Sequence, residues 1–211
     1  RSLSLDASGR RVALLGAGEV RVAMLDDPDA GTSIRVPTVG MSEVVLAPSG
    51  DWVATESFHG SGVHVWDTGH GEPVAHLLPE EGTVRACFSP DDQVLATSSR
   101  NDLRLWRVGR WDEVLRVQRR RAYAGGGEAL AFTPDGARLA AVDESGTITF
   151  FDARSGQRLE TLEPPSLQPI GELRLSVDGS LLAAACPSNH ILVWDLGQIS
   201  RQLEGLRLGG W

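Results

Sequence analysis

The sequence predicts an all-β protein that repeats one small antiparallel sheet along its length. The first observation is a short turn that recurs at intervals of 41 to 44 residues. It reads Ala7-Ser8-Gly9, Pro48-Ser49-Gly50, Pro90-Asp91-Asp92, Pro134-Asp135-Gly136 and Val177-Asp178-Gly179. The second observation is an apolar run that follows each turn in step. It ends as Met24-Leu25-Asp26, Val65-Trp66-Asp67, Leu105-Trp106-Arg107, Phe150-Phe151-Asp152 and Val193-Trp194-Asp195. Self-similarity at a fixed period of this length indicates units that bury their apolar faces against one another.

The stretch from Phe132 to Asp152 shows one unit most clearly. An apolar run ends at Phe132, and the turn at 134–136 follows because Pro presets φ near −65° and Gly accepts a positive φ. A second apolar run, Leu139 to Val142, leads into another turn at 143–146. Thr147 to Phe151 is β-branched and aromatic and alternates as a half-buried strand does. The unit therefore contains three antiparallel strands, and Arg158 to Leu162 predicts a fourth, outer strand.

Five such copies resemble the WD-repeat β-propeller family, and the resemblance covers residues 1–195. It implies four-stranded blades whose first strand lines a central channel and whose third strand places an aromatic residue between blades. The residues that the resemblance marks as structural are Trp66, Asp67, Trp106, Phe151, Asp152, Trp194 and Asp195. Approximate repeat bounds are 1–37, 38–80, 81–121, 122–165 and 166–195. Seven blades are usual in the family, so we expect these five to be part of a larger propeller.

The last 16 residues, 196–211, change period and predict a short C-terminal helix. Leu196, Ile199, Leu203 and Leu206 form one apolar stripe at helical spacing. Asp195 is placed to cap the helix start. This ending resembles the tail of bacterial multidomain WD-repeat proteins.

The repeats depart from the family pattern in their buried polar groups. The resemblance implies a hydrogen-bonded tetrad of His, Ser or Thr, Trp and Asp in each blade. No Gly-His pair precedes a first strand here, and Asp102 and Asp143 stand in the expected turns without the full set of partners. We therefore expect the blades to be held together mainly by aliphatic packing rather than by polar networks.

Composition narrows the classes of function. The net charge of −8 and pI near 5.1 argue against a general polyanion binder, so we expect no specific nucleic-acid partner. No apolar run approaches the ~20 residues that span a bilayer, and we expect no membrane contact in this segment. Cys87 and Cys186 fall in repeats that are not neighbours, so we expect no disulfide and a cytoplasmic location. All 20 basic residues are Arg.

The most unusual local composition is an arginine segment at the end of the third repeat. It contains Arg104, Arg107, Arg110, Arg116, Arg119, Arg120 and Arg121, flanked by Trp106, Trp111 and Tyr123. One interpretation is contact with an acidic protein partner, or stacking and phosphate contact with nucleic acid. The other is a solvated outer strand whose charges protect a sheet edge from pairing with other chains.

A second set of charged residues precedes or occupies the predicted first strands. Glu43, Arg85, Glu128 and Glu172 stand where the resemblance places the channel mouth. Paired carboxylates there would suit acid–base chemistry, but a charged rim also suits a protein-binding surface.

Other motifs do not predict a cofactor or a metal. The histidines of the second repeat, His59, His64, His70 and His76, lack helical ligand spacing and are expected in surface loops or strand. The glycine-rich stretches at 16–18 and 125–127 precede strands rather than helices, and no nucleophile elbow is present.

The sequence therefore predicts a non-catalytic interaction scaffold. We expect it to be the propeller portion of a larger bacterial signalling or regulatory protein that binds a protein or peptide, or other domains of its own polypeptide or complex. The predicted partner-binding residues are Arg110, Arg116, Arg119, Arg120, Arg121, Glu43, Arg85, Glu128 and Glu172. The alternative is a propeller enzyme or small-ligand domain that uses the acidic residues of the channel.

Overall fold

The structure is a computed structural model of the 211-residue chain. It describes residues 2–16, 18–36, 41–57, 62–118, 129–143, 146–166 and 168–205. The described residues form five antiparallel sheets and one α-helix. This confirms the predicted all-β fold of repeated propeller blades.

The strands follow the repeats in order. The first sheet contains β1 (Ser2–Leu5), β2 (Arg11–Leu15), β3 (Glu19–Met24) and β4 (Asp27–Arg35). The second contains β5 (Met41–Leu46), β6 (Trp52–Ser57), β7 (Val63–Asp67) and β8 (Pro73–Leu77). The third contains β9 (Val84–Phe88), β10 (Val94–Ser99), β11 (Asp102–Arg107) and β12 (Glu113–Gln118). The fourth contains β13 (Leu130–Phe132), β14 (Arg138–Val142), β15 (Ile148–Asp152) and β16 (Arg158–Leu162). The fifth contains β17 (Glu172–Leu175), β18 (Leu181–Cys186) and β19 (His190–Asp195).

Within each sheet every strand pairs with the next strand along the chain. In the first four sheets, the pairing of the third and fourth strands shifts register near the end of the third strand. In the first sheet Ala23 lies opposite Val12, as Trp66 lies opposite Val53 in the second. The predicted alignment of Met24-Leu25 with Val65-Trp66 is therefore wrong by two residues at the aromatic position, and this sheet has Ala there.

In the third, fourth and fifth sheets, a carboxylate holds the recurrent first turn. Asp135 Oδ1 accepts hydrogen bonds from the Thr133 hydroxyl at 2.6 Å and from the Ala137 N–H at 3.0 Å. Asp178 accepts equivalent bonds from Ser176 and Ser180, and these bonds lower the pKa of Asp178 to about 2. The turn recurs in the sequence because this short-range hydrogen bonding fixes its geometry.

The fifth sheet has three strands in the described part of the chain, and the helix α1 (Leu196–Gly205) follows its third strand. Asp195 Oδ1 accepts a hydrogen bond from the Gln198 N–H at 2.6 Å, which confirms the predicted cap. Leu196 is buried and Ile199 packs beside it, so the helix covers part of the apolar core of the fifth sheet. Among the described residues, no helix is long and apolar enough to cross a membrane.

The chain divides into two compact units, residues 1–121 and 122–211. In the first unit, one apolar cluster lies between the first and second sheets and another between the second and third. In the second unit, one cluster lies between the fourth and fifth sheets. The apolar faces of neighbouring sheets are therefore buried against each other, as the repeat period predicts.

The predicted structural aromatics are not equally buried. Trp66 and Trp106 are buried in the sheet-to-sheet clusters, whereas Phe151 and Trp194 are half-buried. Phe150, one residue earlier, is almost fully buried. Since successive strand residues point to opposite faces, Phe150 packs toward the fifth sheet and Phe151 toward the other side.

Candidate functional site

A charge cluster lies where the second sheet meets the third. Arg85 Nη1 contacts carboxylate oxygens of both Glu43 and Glu56, and its distance to Glu56 Oε2 is 3.0 Å. Glu56 Oε1 also accepts a hydrogen bond from the Ala86 backbone N–H at 2.7 Å. The inner strands β5 and β9 supply Glu43 and Arg85, and the end of β6 supplies Glu56. The cluster therefore joins two neighbouring sheets through one guanidinium and one backbone N–H.

Burial decides the proton affinity of Glu56. The Glu56 side chain is 2% exposed, and its burial raises the pKa to about 7. The attraction of Arg85 lowers that pKa in part, and the nearby charge of Glu43 raises it again. The cluster holds two carboxylates and one guanidinium, so a proton on Glu56 balances its charge near neutral pH.

The structure brings together two of the four predicted channel residues, Glu43 and Arg85. Glu172 lies on β17 in the second unit, is exposed, and pairs with Arg174 on its own strand. Glu128 lies outside the described residues. The partner of Arg85 that the sequence did not predict is Glu56. The sequence feature that could have indicated Glu56 is an acidic residue on an otherwise apolar strand face. The equivalent residues of the first and fourth sheets are Leu15 and Val142.

A second cluster takes up part of the arginine segment within the third sheet. Asp102, 1% exposed at the start of β11, accepts hydrogen bonds from Arg104 Nε at 2.8 Å and from Arg116 Nε at 2.7 Å. Arg104 Nη1 also donates to Glu113 at 3.2 Å. Burial alone would raise the pKa of Asp102, but the hydrogen bonds from both arginines outweigh it and lower the pKa. Arg104 and Arg116 lie opposite each other on β11 and β12, and Asp102 cancels their repulsion.

Two further arginines of the segment lie at the outer turn of the third sheet. Arg107 is exposed and forms a salt bridge with Asp112 at 3.3 Å, and Arg110 is exposed in the same turn. Trp111 adopts φ of +59° at the position where the second and fourth sheets have Gly71 and Gly156. Arg119, Arg120 and Arg121 lie outside the described residues.

The strained Trp111 has a packing partner. Its ring meets the ring of Trp52 edge to face, with 5.5 Å between centroids. A bulky residue at positive φ costs on the order of 1 kcal/mol or more, and the aromatic contact offsets part of that cost. The pair attaches the outer turn of the third sheet to the second sheet.

Two sheets contain part of the polar network that the resemblance implies. Trp106 Nε1 donates to Thr97 Oγ1 at 2.9 Å, and Trp66 Nε1 donates to Thr55 Oγ1 at 3.4 Å. Both threonines are fully buried. Each of these two sheets therefore keeps one Trp–Thr hydrogen bond, beside buried clusters whose residues are mostly aliphatic.

Two histidines of the second repeat, His64 and His76, lie on strands and form a stacked pair. His64 on β7 and His76 on β8 are directly opposite, with ring centroids 3.9 Å apart. Burial and the neighbouring His76 lower the pKa of His64. His70 lies exposed in a turn beside Asp67, and His59 lies outside the described residues.

The described residues offer no cluster of three or more His, Cys, Asp or Glu side chains that could hold a metal ion. A cavity of about 450 Å³ lies in the second unit between the fourth and fifth sheets and α1. Its polar lining comes mainly from the turns at Asp135 and Asp178, whose carboxylates already hold those turns. We therefore assign these two carboxylates a structural role.

Comparison with known proteins agrees with these sheets. Residues 71–107 match the family model described as WD domain, G-beta repeat. The chain is 27% identical over 228 residues to DNA damage-binding protein 2 of Mus musculus, covering 97% of this chain and 52% of that protein. It is 27% identical over 116 residues to Target of rapamycin complex subunit wat1 of Schizosaccharomyces pombe, covering 55% of this chain and 36% of that protein. The chain thus spans about half the length of the mouse relative and less of the yeast one. The repeated antiparallel sheets, the family match and the two relatives together support a WD-repeat β-propeller.

Proposed function

We propose that this chain is a non-catalytic scaffold for protein–protein interaction. The observation that carries the proposal is the use of its buried charges. The buried Glu56 is bound to Arg85, and the buried Asp102 is bound to two arginines. Buried charges that neutralise one another hold sheets in place and are not available to a substrate. Function then belongs to the exposed turns and edges, which a rigid set of sheets presents to a partner.

The proposed binding surface is the outer turn of the third sheet together with the end of the arginine segment. Arg107 and Arg110 are exposed there, and Arg119 to Arg121 continue the run in sequence. An acidic protein or peptide fits this run, because rim charges attract an opposite partner over a distance and set its orientation. The whole chain is acidic, so a local basic segment is a distinct feature of its surface.

We further propose that the chain belongs to a larger, cytoplasmic, bacterial signalling or regulatory protein and contacts other domains of it. Exclusive use of Arg over Lys supports a source with biased base composition. The named relatives are a mouse and a yeast protein, so the bacterial assignment depends on this composition alone. The yeast relative is named as a subunit of a complex, which supports the scaffold role.

The test is a salt series on peptide binding. Fluorescently labelled acidic and basic peptides of equal length are titrated with the parent chain, with a variant carrying Ser at positions 110 and 119–121, and with Arg158→Ser. Arg158 is an exposed arginine at the outer strand β16 and serves as the matched control. We expect the parent and the control to bind the acidic peptide with an affinity that falls as salt rises. We expect the quadruple variant to bind at least tenfold more weakly and with a flatter salt dependence. Equal binding by the parent and this variant would refute the proposed surface.

A second candidate function, a small-ligand or catalytic site, is favoured by one observation. Glu56 is a buried carboxyl with a pKa near neutrality beside Glu43 and Arg85, and such groups are concentrated at functional sites. Glu56→Gln separates the two functions. Peptide binding is expected to be unchanged in this variant under either function. Loss of a bound ligand or of a turnover in the variant would identify a ligand or catalytic site.

A further inference from the structure

The cavity of about 450 Å³ in the second unit lies where the fourth and fifth sheets meet the start of α1. Its lining includes the first turns of the two sheets, at Pro134 and Gly179, and the helix residues Leu196 and Gly197. The two sheets pack on each other through one apolar cluster, so the cavity is part of their junction. Its volume is within the range of about 300 to 1,000 Å³ that is usual for small-molecule sites.

The corresponding space at the junction of the second and third sheets is filled by aromatic rings. Trp52 stands opposite Asp67 in the second sheet, as Arg138, which lines the cavity, stands opposite Asp152 in the fourth. The ring of Trp52 meets the ring of Trp111 with 5.5 Å between centroids, and both rings pack on the apolar cluster of that junction. The chain therefore fills one of these two spaces with two indole rings.

The helix side of the cavity also has a counterpart in the third sheet. The Val108 N–H donates to the Gln93 carbonyl at 3.0 Å, and the Leu196 N–H donates to the Ser180 carbonyl at 2.8 Å. The start of α1 therefore stands where the third sheet has the outer turn that contains Trp111. In the second unit, an arginine and a helix start take the places of the two tryptophans, and a cavity lies between them.

Part of the cavity lining is apolar. Phe150 and Leu196 line the cavity and belong to the buried cluster that the fourth and fifth sheets share. Pro134 adds a third apolar group from the turn of the fourth sheet. A flat aromatic ring would cover this surface and remove it from water, as the indole rings do at the other junction.

The charged part of the lining is negative in balance. Asp135 and Asp178 line the cavity, and hydrogen bonds from the hydroxyl side chains two residues earlier lower the pKa of both carboxyls. Both groups therefore keep their charge at neutral pH while they hold their turns. Among the described lining residues, Arg138 supplies a positive charge, and its guanidinium is bound to Glu160 at 3.3 Å. The partial positive charge of the α1 N-terminus is offset by its cap, Asp195. A cationic ligand is therefore favoured over an anionic one.

We propose that this cavity binds a small aromatic amine, with its ring against the apolar lining and its ammonium group toward Asp135 and Asp178. The ring takes the space that Trp52 and Trp111 take at the other junction, and the ammonium group balances the charge of the two turns. A ligand bound there contacts both sheets and α1, so it stabilises the packing of the second unit. The site shares no residue with the proposed protein-binding surface or with the Glu56 cluster, so it is tested separately from both.

The test uses two probes of opposite charge and amide NMR signals of the isotope-labelled chain. Tryptamine has an indole ring and an ammonium group, and indoleacetate has the same ring and a carboxylate. Each probe is titrated into the parent at neutral pH. The amide signals of Gly179 and Gly197, which line the cavity, report binding at this place.

Four variants separate filling of the cavity from loss of charge. Arg138→Trp places an indole in the cavity, as Trp52 does at the other junction, whereas Arg138→Gln removes the charge and leaves the space open. Ser200→Trp fills the cavity from the helix side and provides a second filled variant. Arg158→Trp, at an exposed residue of the same sheet, is the matched control. Thermal unfolding shows that each variant folds.

We expect tryptamine to bind the parent at least tenfold more tightly than indoleacetate does. Arg138→Gln and Arg158→Trp are expected to bind tryptamine as the parent does. The two filled variants, Arg138→Trp and Ser200→Trp, are expected to bind it at least tenfold more weakly. Three results would each overturn the proposal: no movement of the two glycine signals at millimolar tryptamine, equal affinity for the two probes, or parent-like binding by a folded, filled variant.

Discussion

The protonation of Glu56 predicts an unusual pH dependence of stability. Its pKa is about 7 in the folded chain, against an ordinary value of 4.5. The folded state therefore binds this proton more tightly than the unfolded state does. The stabilisation is fully present below pH 4.5 and is lost as the pH rises through about 7. A difference of about 2.5 pH units corresponds to about 3 kcal/mol at about 1.4 kcal/mol per unit.

The perturbation is Glu56→Gln, which keeps the shape and an oxygen for the Ala86 N–H but removes the titration. We expect the free energy of unfolding of the parent, relative to this variant, to fall by up to about 3 kcal/mol between pH 4.5 and 8. Urea unfolding at half-unit pH steps measures it, and the difference between the two proteins cancels the groups that they share. Glu19→Gln, an exposed glutamate at the start of β3, is the control. A difference curve that stays flat over this range would show that Arg85 keeps Glu56 ionised and that burial does not dominate.

Three further substitutions test the packing of the sheets by urea unfolding. Asp102→Asn leaves two arginines without their buried partner, so we expect the free energy of unfolding to fall by about 3 kcal/mol or more. Asp112→Asn, at the exposed salt bridge, is the control and is expected to lower it by less than about 1 kcal/mol. Equal losses in the two variants would contradict this assignment. Trp106→Phe keeps most of the ring but removes the hydrogen bond to buried Thr97, and we expect about 1 to 3 kcal/mol; an unchanged midpoint would show that this bond contributes nothing. Gly62→Ala is expected to destabilise the second sheet, since Gly62 has φ of +63° and a Cβ would lie 2.1 Å from a backbone carbonyl oxygen; wild-type stability would contradict the local geometry.

The sequence predicted the sheets well because their signals are local. The turn at Thr133-Pro134-Asp135-Gly136 contains its own hydrogen-bond partners within five residues, and the strand alternation beside it depends on the same short range. The buried aromatic residue of the fourth sheet was harder to predict. Phe150 and Phe151 are adjacent and similar, and which of them is deeply buried depends on the sheet that packs on them.

The charge clusters were harder to predict because their partners come from different strands. Glu56 meets Arg85 from the next repeat, 29 residues away, so its burial is invisible in the second repeat alone. Arg104 and Arg116 are part of a run that predicts a free basic surface. They are instead bound because pairing of β11 with β12 brings both to the one carboxylate of Asp102. A run of like charges therefore does not by itself predict a binding surface, because residues on the neighbouring strand can pair with those charges.

The two clusters show that burial alone does not set the direction of a pKa shift. Glu56 and Asp102 are almost equally inaccessible to water, yet burial raises the pKa of Glu56 and the arginines lower that of Asp102. The difference is the ratio of charges, because Glu56 shares one guanidinium with a second carboxylate while Asp102 receives two guanidinium groups. The third sheet is therefore held by an ion cluster that stays ionised at neutral pH. The junction of the second and third sheets, by contrast, acquires a net negative charge as Glu56 ionises. Of these two clusters, the one between the sheets is where a rise in pH weakens the packing of the chain.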